Sequence, residues 1–363
     1  MSMLSHIKVL ELSDGLVDFG GRMLCELGAQ VIAVVPDADD PAWRELARHH
    51  GKRRIVSASQ GDLLRLAEDA DIVLDGRRQQ GGLPDALSDR LDQVIHVVAR
   101  PFSGGGPLDG RPATDLTLMA LSGLMTITGD PDRPPLRLPG EQAYALVGIQ
   151  VATAALLGLA ARRRTGRGQR IEVSAFQSAV LANYREAIMF EWTGRIGRRT
   201  GNRLVRGSSG VRQVWPCLDG FVTWSMIDNP GMMRSVVRVM VEEGAAGELA
   251  EIDWDAILVA DTEQAVIDRW QDIVASFFAR HDRARLGQWS LEHGWGLSTI
   301  STPDEVRESD HLAARGLFVD VAHGRETTRL PGPLFLHGVA GNPPERRLME
   351  PVSAAEIRWE DPA

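Results

Sequence analysis

Few residue patterns in the chain match those of familiar active sites. The glycines around the first predicted turn, in Ser13-Asp14-Gly15 and Gly20-Gly21, form neither G-x-G-x-x-G nor a P-loop, which argues against a dinucleotide-dependent oxidoreductase. The sequence also contains no G-x-S-x-G, H-E-x-x-H or C-x-x-C motif. The one histidine cluster, His49-His50, is predicted to lie on a helix surface, because adjacent helical side chains point apart.

Acidic and basic side chains are the chemistry-bearing residues that remain. The two cysteines, Cys25 and Cys217, lie far apart without metal-ligand spacing, so we predict buried thiols and no metal site. Asp115 opens an apolar segment with helical spacing, a position where aspartate commonly caps a helix. Lys8 and Lys52 are the only lysines among 40 basic residues. Any anion site must therefore be built almost wholly from arginine and backbone N–H groups.

Composition limits the class of protein and its partners. The chain has 363 residues, 44% hydrophobic and 25% charged, which is the balance of a globular protein of about two domains. A net charge of −9 argues against nucleic acid or an anionic membrane as a partner. The first residues lack the pattern of a signal peptide, and the one long apolar stretch, 144–161, is expected to be a buried helix. We therefore expect a cytoplasmic protein.

The first hundred residues alternate between strand and helix patterns. Strands are predicted for the apolar, β-branched runs at 7–12, 31–35, 71–75 and 94–98. Helical spacing at 20–27 and 61–69 places helices between them. This alternation predicts a doubly wound α/β unit with nucleotide-binding topology.

The remaining chain is predicted to be more mixed. Helices are predicted at 115–125, 141–164 and 303–317, a strand at 170–174, and a strand pair around the turn Asp219-Gly220. Residues 231–295 are predicted to be mostly helical. The segment from Thr328 to Pro333 is predicted to be an extended loop, and the last 25 residues a polar tail.

A series of short motifs resembles the class III CoA-transferases and the related 2-methylacyl-CoA racemases. They occur in order across some 330 residues. The matching segments are Val9-Leu10-Glu11-Leu12-Ser13, Leu24-Cys25-Glu26-Leu27-Gly28-Ala29-Gln30-Val31-Ile32, Gly51-Lys52-Arg53-Arg54, Ala70-Asp71-Ile72-Val73, Gly104-Gly105-Gly106-Pro107, Asp115 with Ala120-Leu121-Ser122-Gly123-Leu124, and Arg163-Arg164-Thr165-Gly166-Arg167-Gly168-Gln169. Any one motif is weak, but their order is specific.

The resemblance implies an architecture as well as a reaction. It implies a Rossmann-like large α/β domain, formed by both chain ends (residues 1–192 and 303–363), with a smaller α+β domain (193–302) inserted. It also implies an interlocked homodimer. The substrates would be an acyl-CoA and a carboxylic acid acceptor, with coenzyme A bound as substrate and no permanently bound cofactor.

The resemblance assigns the covalent chemistry to Asp115. A carboxylate that attacks an acyl-CoA thioester gives a mixed anhydride and then an enzyme–CoA thioester, which the acceptor acid resolves. The loop Gly207-Ser208-Ser209-Gly210 stands where family transferases have a mobile glycine-rich loop. Its two serines depart from a pure glycine run.

The resemblance also suggests which residues contact CoA. Gly51, Lys52 and Arg53 supply the best candidates for phosphate contacts. The other predicted contacts lie in loops or at strand ends: Val17, Asp75, Arg77 and Arg100. The second strand ends in Ala33-Val34-Val35, so a charged contact that is customary in the family is absent.

Two other functions stay open at this stage. Family racemases carry a histidine before the motif aspartate and a second carboxylate downstream, because α-proton exchange needs two bases. Here position 114 is threonine, while Glu141 lies near the second carboxylate position and could act as a base or merely begin the long helix. The departures from the family pattern also leave open a non-catalytic, CoA-binding subunit.

Overall fold

The chain divides into two compact units. A computed structural model describes residues 2–36, 41–77, 92–333 and 346–360. One unit comprises Met1–Thr126, Arg137–Gly197 and Glu308–Ala363, and the other comprises Ile127–Leu136 and Arg198–Arg307. The second unit thus begins at 198 rather than the predicted 193 and ends at 307 rather than 302, and it also takes in residues 127–136.

Strands and helices alternate in the first half of the described chain, and helices dominate the second half. The strands are β1 (Lys8–Leu12), β2 (Gln30–Val34), β3 (Arg53–Ile55), β4 (Ile72–Asp75), β5 (Ile95–Arg100), β6 (Gln169–Ser174), β7 (Arg203–Arg206), β8 (Ser209–Arg212), β9 (Val214–Cys217), β10 (Gly220–Thr223), β11 (Ser298–Thr299), β12 (Phe318–His323) and β13 (Glu326–Pro331). The helices are α1 (Asp18–Glu26), α2 (Ala42–His49), α3 (Gln60–Glu68), α4 (Asp115–Leu121), α5 (Leu124–Ile127), α6 (Gln142–Thr165), α7 (Ala175–Leu181), α8 (Tyr184–Thr193), α9 (Pro230–Glu242), α10 (Gln264–Phe278), α11 (Arg283–His293), α12 (Pro303–Arg307) and α13 (Asp310–Ala314).

A six-stranded parallel sheet forms the centre of the first unit. Its strand order is β3-β2-β1-β4-β5-β6, the order of doubly wound nucleotide-binding sheets. The predicted α/β class is confirmed. The order reverses direction between β1 and β4, and the crevice beyond the carboxyl ends of these two strands is where such sheets usually bind ligands.

Both faces of the sheet are covered, and the residues of its inner strands β1, β4 and β5 are almost all buried. One face packs against α1, α4, α6 and α7, through residues such as Leu24 and Val151. The other face packs against α3 and the C-terminal segment, through Leu66, Ala354 and Ile357. The predicted polar tail is therefore wrong for the described residues 346–360, since two of their side chains complete this core.

Helix α6 is the longest helix of the described chain, and its first turn lies at the candidate site. It begins after Glu141 and ends at Gly166, which adopts φ +72° and so favours glycine. By length and composition the helix could cross a membrane. In the structure it packs against α1, α4, α7, β5 and β6. Two glycines allow its close approach to α1, because a Cβ on Gly20 would lie 2.8 Å from the Gly148 carbonyl oxygen.

Three further local predictions differ from the structure. Residues 326–331 form β13, which pairs antiparallel with β12, instead of an extended loop. The single helix expected at 303–317 is two short helices, because Ser309 caps a new helix through the Leu312 N–H. His49 and His50 are both buried rather than on the surface. His50 is held by the Leu46 carbonyl and by Glu26.

The second unit has its own core. Strands β9, β10 and β11 form an antiparallel sheet, and β7 pairs with β8 in a separate hairpin. Trp215, Trp224 and Phe278 pack with ring centroids 5.6–5.8 Å apart in tilted and edge-on arrangements. The indole N–H groups of Trp215 and Trp224 donate to the carbonyl oxygens of Trp224 and Trp295, so both buried donors have a hydrogen-bond partner.

Candidate active site

Asp115 lies where α4 and α6 begin. Thr114 caps α4 through the Thr117 N–H, and Asp115 is the first residue of that helix. Its Oδ1 accepts hydrogen bonds from the backbone N–H groups of Ala143 (2.8 Å) and Tyr144 (3.3 Å), in the first turn of α6. Its Oδ2 accepts no hydrogen bond from any described residue. The two oxygens of one carboxylate therefore have different environments.

The carboxylate of Asp115 is buried, with 6% of the residue exposed. Burial raises its pKa, while the N–H groups of Tyr144 and Ala143 and the Arg137 guanidinium act in the opposite direction. The nearest Arg137 nitrogen lies 3.8 Å from Oδ2. The net result is a pKa above the usual aspartate range, although the positive end of α6 favours the carboxylate.

A polar cavity of about 250 Å³ lies next to this carboxylate. Its lining residues come from the loop after β1, the end of β2, helix α2 and the start of α6. They are Ser13, Asp14, Gly15, Asp18, Pro36, Arg44, Glu45, Arg48, His49, Glu141 and Tyr144. Tyr144 connects the cavity to Asp115, because its backbone N–H binds Oδ1 and its residue forms part of the wall.

Glu141 directly precedes α6, as one of its two predicted roles required, and it also lines the cavity. Its Oε2 accepts a hydrogen bond from Arg48 at 2.6 Å, and its Oε1 lies 3.4 Å from Arg44. Its side chain makes no capping hydrogen bond to α6. The structure therefore places Glu141 close to the backbone that holds Asp115, with arginines as its partners.

Several predicted CoA contacts meet at the carboxyl ends of β1 and β4. Val17 is fully buried at the start of α1, and a Cβ on Gly76 would lie 3.1 Å from its Cγ2. Asp75 ends β4. Burial opposes its ionisation, but His96, whose Nε2 lies 3.5 Å from Oδ2, and a hydrogen bond from the Arg77 N–H outweigh burial and lower its pKa. Val17, Asp75 and Arg77 are thus brought together at the reversal point of the sheet.

The side chain of Lys52 lies inside the protein. Its ammonium is fully buried and contacts both carboxylate oxygens of Glu11 and the Asp18 carbonyl oxygen, each at 2.8 Å. An ammonium has three donors, and all three are used here. The predicted phosphate contact by Lys52 is therefore not supported by its position.

The other predicted cationic contacts are dispersed. Gly51 adopts φ +79° and donates its N–H to the Arg347 carbonyl oxygen. Arg53 donates to the Arg358 carbonyl oxygen and pairs with Glu360, so it holds the C-terminal segment. Arg100 is the half-buried last residue of β5, at the carboxyl edge of the sheet.

The predicted glycine-serine loop forms the turn between β7 and β8 in the second unit. Gly207 adopts φ +58°, a conformation that favours glycine. The hydroxyls of Ser208 and Ser209 donate to the carbonyl oxygens of Ala260 and Thr262, and the Gly210 N–H donates to Gln264. The two serines thus attach the turn to the neighbouring segment.

The thiols and acidic clusters suggest no further reactive centre. Burial raises the pKa of Cys25 to about 12, so this thiol stays protonated. Cys217 is only partly buried, unlike its prediction. Among the residues that the structure describes, no group of three His, Cys, Asp or Glu side chains could hold a metal ion.

Sequence reasoning missed four residues of this region: Arg44, Arg48, Arg137 and Tyr144. The sequence did contain a signal for Arg44 and Arg48: they are four residues apart, and residues four apart on a helix share a face. Arg137 and Tyr144 carry no comparable local signal. Their proximity to Asp115 depends on how the Pro-rich connection before α6 folds back onto the start of α4.

Comparison with known proteins identifies the family. The model of CoA-transferase family III matches residues 4–353, so the chain belongs to that family. It is 28% identical over 270 residues to a succinyl-CoA:(R)-benzylsuccinate CoA-transferase subunit of Thauera aromatica, covering 66% of this chain and 64% of that protein. It is 26% identical over 343 residues to succinyl-CoA–D-citramalate CoA-transferase of Chloroflexus aurantiacus, covering 88% of this chain and 83% of that protein.

A solved structure supports the fold independently. A CAIB/BAIF family protein from Brucella suis superimposes with a TM-score of 0.80 and 22% identity. The match covers 95% of this chain and 96% of that one. At this identity the likeness establishes the fold alone.

Proposed function

We propose that the protein transfers CoA from an acyl-CoA thioester to a carboxylic acid, with the Asp115 carboxylate as nucleophile. One observation carries this proposal: Oδ1 is held by two backbone N–H groups, while the buried Oδ2 accepts no hydrogen bond from the described residues. A carboxylate oxygen without a donor is less stabilised and more available for attack. Membership of a CoA-transferase family supports the reaction class.

The proposed steps follow from the two oxygens. Oδ2 of Asp115 attacks the thioester carbonyl carbon, the C–S bond breaks, and CoA leaves as a thiolate. The thiolate then attacks the aspartyl carbonyl carbon and releases the first acid, leaving an enzyme–CoA thioester. The acceptor carboxylate attacks that thioester, which expels the CoA thiolate and forms a second anhydride. The thiolate then attacks the acyl carbonyl carbon, which gives the new acyl-CoA and regenerates the Asp115 carboxylate. Throughout, the N–H groups of Ala143 and Tyr144 keep the aspartyl group oriented.

Coenzyme A is proposed to bind as a substrate in the crevice at the reversal point of the sheet. Val17, Asp75 and Arg77 lie there, and Arg100 lies at the same edge, which supports these contacts. Gly51 and Arg53 remain proposed contacts, while the burial of Lys52 favours a structural role for that residue.

The proposal extends to assembly and location. Large apolar side chains are exposed on α6, α7 and α8, including Leu157, Leu181 and Trp192, which supports the proposed interlocked homodimer. We also propose a cytoplasmic location, where acyl-CoA and free acids are both present.

The test is direct detection of the covalent intermediate. Incubation with an acyl-CoA substrate should leave an adduct on Asp115 that hydroxylamine converts to a hydroxamate, detectable by intact mass and peptide mapping. D115N should lose the adduct and at least about 10³-fold in transfer rate while keeping CoA binding. Exposed Asp320 provides the control, since D320N should change neither. Unchanged turnover in D115N would refute the role of Asp115.

A non-catalytic CoA-binding subunit is the second candidate function. The observation that favours it is that Asp115 is only 6% exposed and its Oδ1 already caps α6, as a structural residue would. The Thauera relative is itself named as a subunit. This alternative predicts CoA binding without any adduct, and co-purification with a related chain.

The racemase alternative has less support. Thr114 caps α4 and has no basic group, so one of the two bases is missing. The alternative predicts that deuterium from solvent enters the α-carbon of a 2-methylacyl-CoA. Absence of exchange would remove it.

A further inference from the structure

The side chain of Glu141 shows how the polar cavity binds a carboxylate. Its two oxygens are divided between two guanidinium groups, with Oε2 at 2.6 Å from Arg48 and Oε1 at 3.4 Å from Arg44. The side chain does not act as the N-cap of α6, because it makes no capping hydrogen bond to that helix. Each oxygen of Glu141 is thus engaged by an arginine of α2.

The two arginines are positioned independently of Glu141. They are four residues apart on α2 and so lie on the same helix face. Arg48 also lies 3.6 Å from Asp18 Oδ2, and the Arg44 guanidinium lies 5.0 Å from the centre of the Trp43 ring. Departure of Glu141 would therefore leave the guanidinium groups close to their present positions.

The cavity determines the size and polarity of a ligand that could replace Glu141. Its volume of about 250 Å³ accommodates a short acid. Its wall carries Ser13, Asp14, Asp18 and Tyr144 besides the arginines. A polar ligand matches this polar wall better than an aliphatic chain does.

We propose that Arg44 and Arg48 form a binding site for the carboxylate of a short, polar carboxylic acid, and that Glu141 occupies this site as a tethered competitor. Binding exchanges one carboxylate for another, so the charge beside the arginines is unchanged. A neutral ligand of the same shape would remove one negative charge from beside two partly buried guanidinium groups, which is unfavourable. The inference that this is the acid subsite of CoA transfer rests on the proposed function. Binding of an acid to the site can nevertheless be measured without any CoA transfer.

A tethered competitor has a measurable consequence. The apparent affinity for an external acid is reduced by the fraction of molecules in which Glu141 has vacated the arginines. Removing the charge of Glu141 should therefore strengthen acid binding, whereas removing an arginine should weaken it. A simple contact residue would behave in the opposite way, because its removal could only weaken binding.

Succinate binding to the purified full-length protein, measured by isothermal titration calorimetry without acyl-CoA, tests the inference. E141Q should bind succinate about tenfold more tightly than the wild type, and R48M should bind it at least about tenfold more weakly. Succinamide, the neutral analogue, and hexanoate, the apolar analogue, should bind more weakly than succinate. The matched control is E248Q, which removes a Glu paired with Arg269 in the other unit and should leave succinate affinity unchanged.

Unchanged or weaker succinate binding by E141Q would overturn the inference, as would equal binding of succinate and hexanoate. Thermal unfolding and CoA binding of each variant exclude misfolding, and R44M provides a second arginine variant should R48M fail to fold. If the Asp115 adduct forms but E141Q does not change succinate binding, the proposed function stands and this inference is rejected. If E141Q strengthens succinate binding but no Asp115 adduct forms, the acid site stands and CoA transfer at Asp115 is rejected.

Discussion

Two buried carboxylates in the same unit, Glu11 and Asp115, are satisfied to very different degrees. Glu11 on β1 has both oxygens within 2.8 Å of the Lys52 ammonium, whose third contact is the Asp18 carbonyl oxygen. Asp115 has two N–H donors on Oδ1 and none among the described residues on Oδ2. Burial raises the pKa of both carboxyls, that of Glu11 to about 8 in spite of Lys52, but only Glu11 has a hydrogen-bond partner on each oxygen among the described residues.

The difference fits a structural role for Glu11 and the reactive role proposed for Asp115. A completely paired ion pair inside a core has no capacity for another partner, and losing one member leaves an isolated charge. A carboxylate with one free oxygen is less stable, and such groups concentrate at functional sites. Lys52, the lysine of the predicted CoA motif, is the cation of the fully paired member of this comparison.

The largest expected effect is on stability, from K52M. The variant leaves the fully buried Glu11 without its cation, so the free energy of unfolding should fall by about 3–5 kcal/mol. Urea denaturation of the intact protein measures this. The double variant E11L/K52M should recover part of the loss, because no buried charge remains.

Lys8 is the matched control for that prediction, being the other lysine and only half-buried at the start of β1. K8M should change the free energy of unfolding by no more than about 0.5 kcal/mol. A K52M variant as stable as K8M would show that the Glu11–Lys52 pair is not the structural member of the comparison.

The next effect distinguishes the two oxygens of Asp115. D115A removes the acceptor for the Ala143 and Tyr144 N–H groups, and should lower the free energy of unfolding by about 1–2 kcal/mol. D115N keeps an acceptor oxygen and removes the buried charge, so it should be close to the wild type in stability. Equal losses in D115N and D115A would contradict this separation of roles.

The pH dependence of D115N sharpens the same point. Burial holds the pKa of Asp115 above its unfolded value, so its stabilising contribution is complete below the unfolded pKa and decreases as pH rises through the folded pKa. The stability of D115N relative to the wild type should therefore increase from acidic to neutral pH. A decrease over that interval, in parallel urea titrations, would mean that the folded pKa is lowered.

The smallest expected effect comes from Arg137, which is half exposed and 3.8 Å from Oδ2. R137M should raise the pKa of Asp115 further and cost no more than about 1 kcal/mol of stability. A carbon-13 NMR titration of the Asp115 carboxyl measures the direction. R133M, which removes a more exposed arginine that pairs with Asp130, should leave this titration unchanged.

The fold was largely predictable because its strands are continuous apolar runs. Strands β1, β2, β4, β5 and β6 overlap the predicted segments within a residue or two. Strand β3 was missed because Arg53 and Arg54 look like a solvated charge run. The Arg53 guanidinium binds the Arg358 carbonyl oxygen, 305 positions away, and the Arg54 guanidinium binds the Met349 carbonyl oxygen, 295 positions away. No local sequence pattern contains that information.

The site was less predictable for the same physical reason. Asp115 could be selected from its motif, but the state of its two oxygens depends on the start of α6. The burial of Lys52 depends on Glu11, which lies 41 positions earlier and on a different strand. Charge runs in a sequence show which residues carry charge, whereas burial and pairing are properties of the folded arrangement.

The C-terminal segment also constrains how the protein is made. Arg53 and the Arg358 carbonyl that it binds are 305 positions apart, and Trp359 binds the Leu66 carbonyl oxygen. During translation, the β3 side of the sheet must wait on the ribosome until the whole second unit has been synthesised. Until then, the apolar surface that Ala354 and Ile357 cover is exposed, and exposed surface of this kind makes a partly folded chain prone to aggregation.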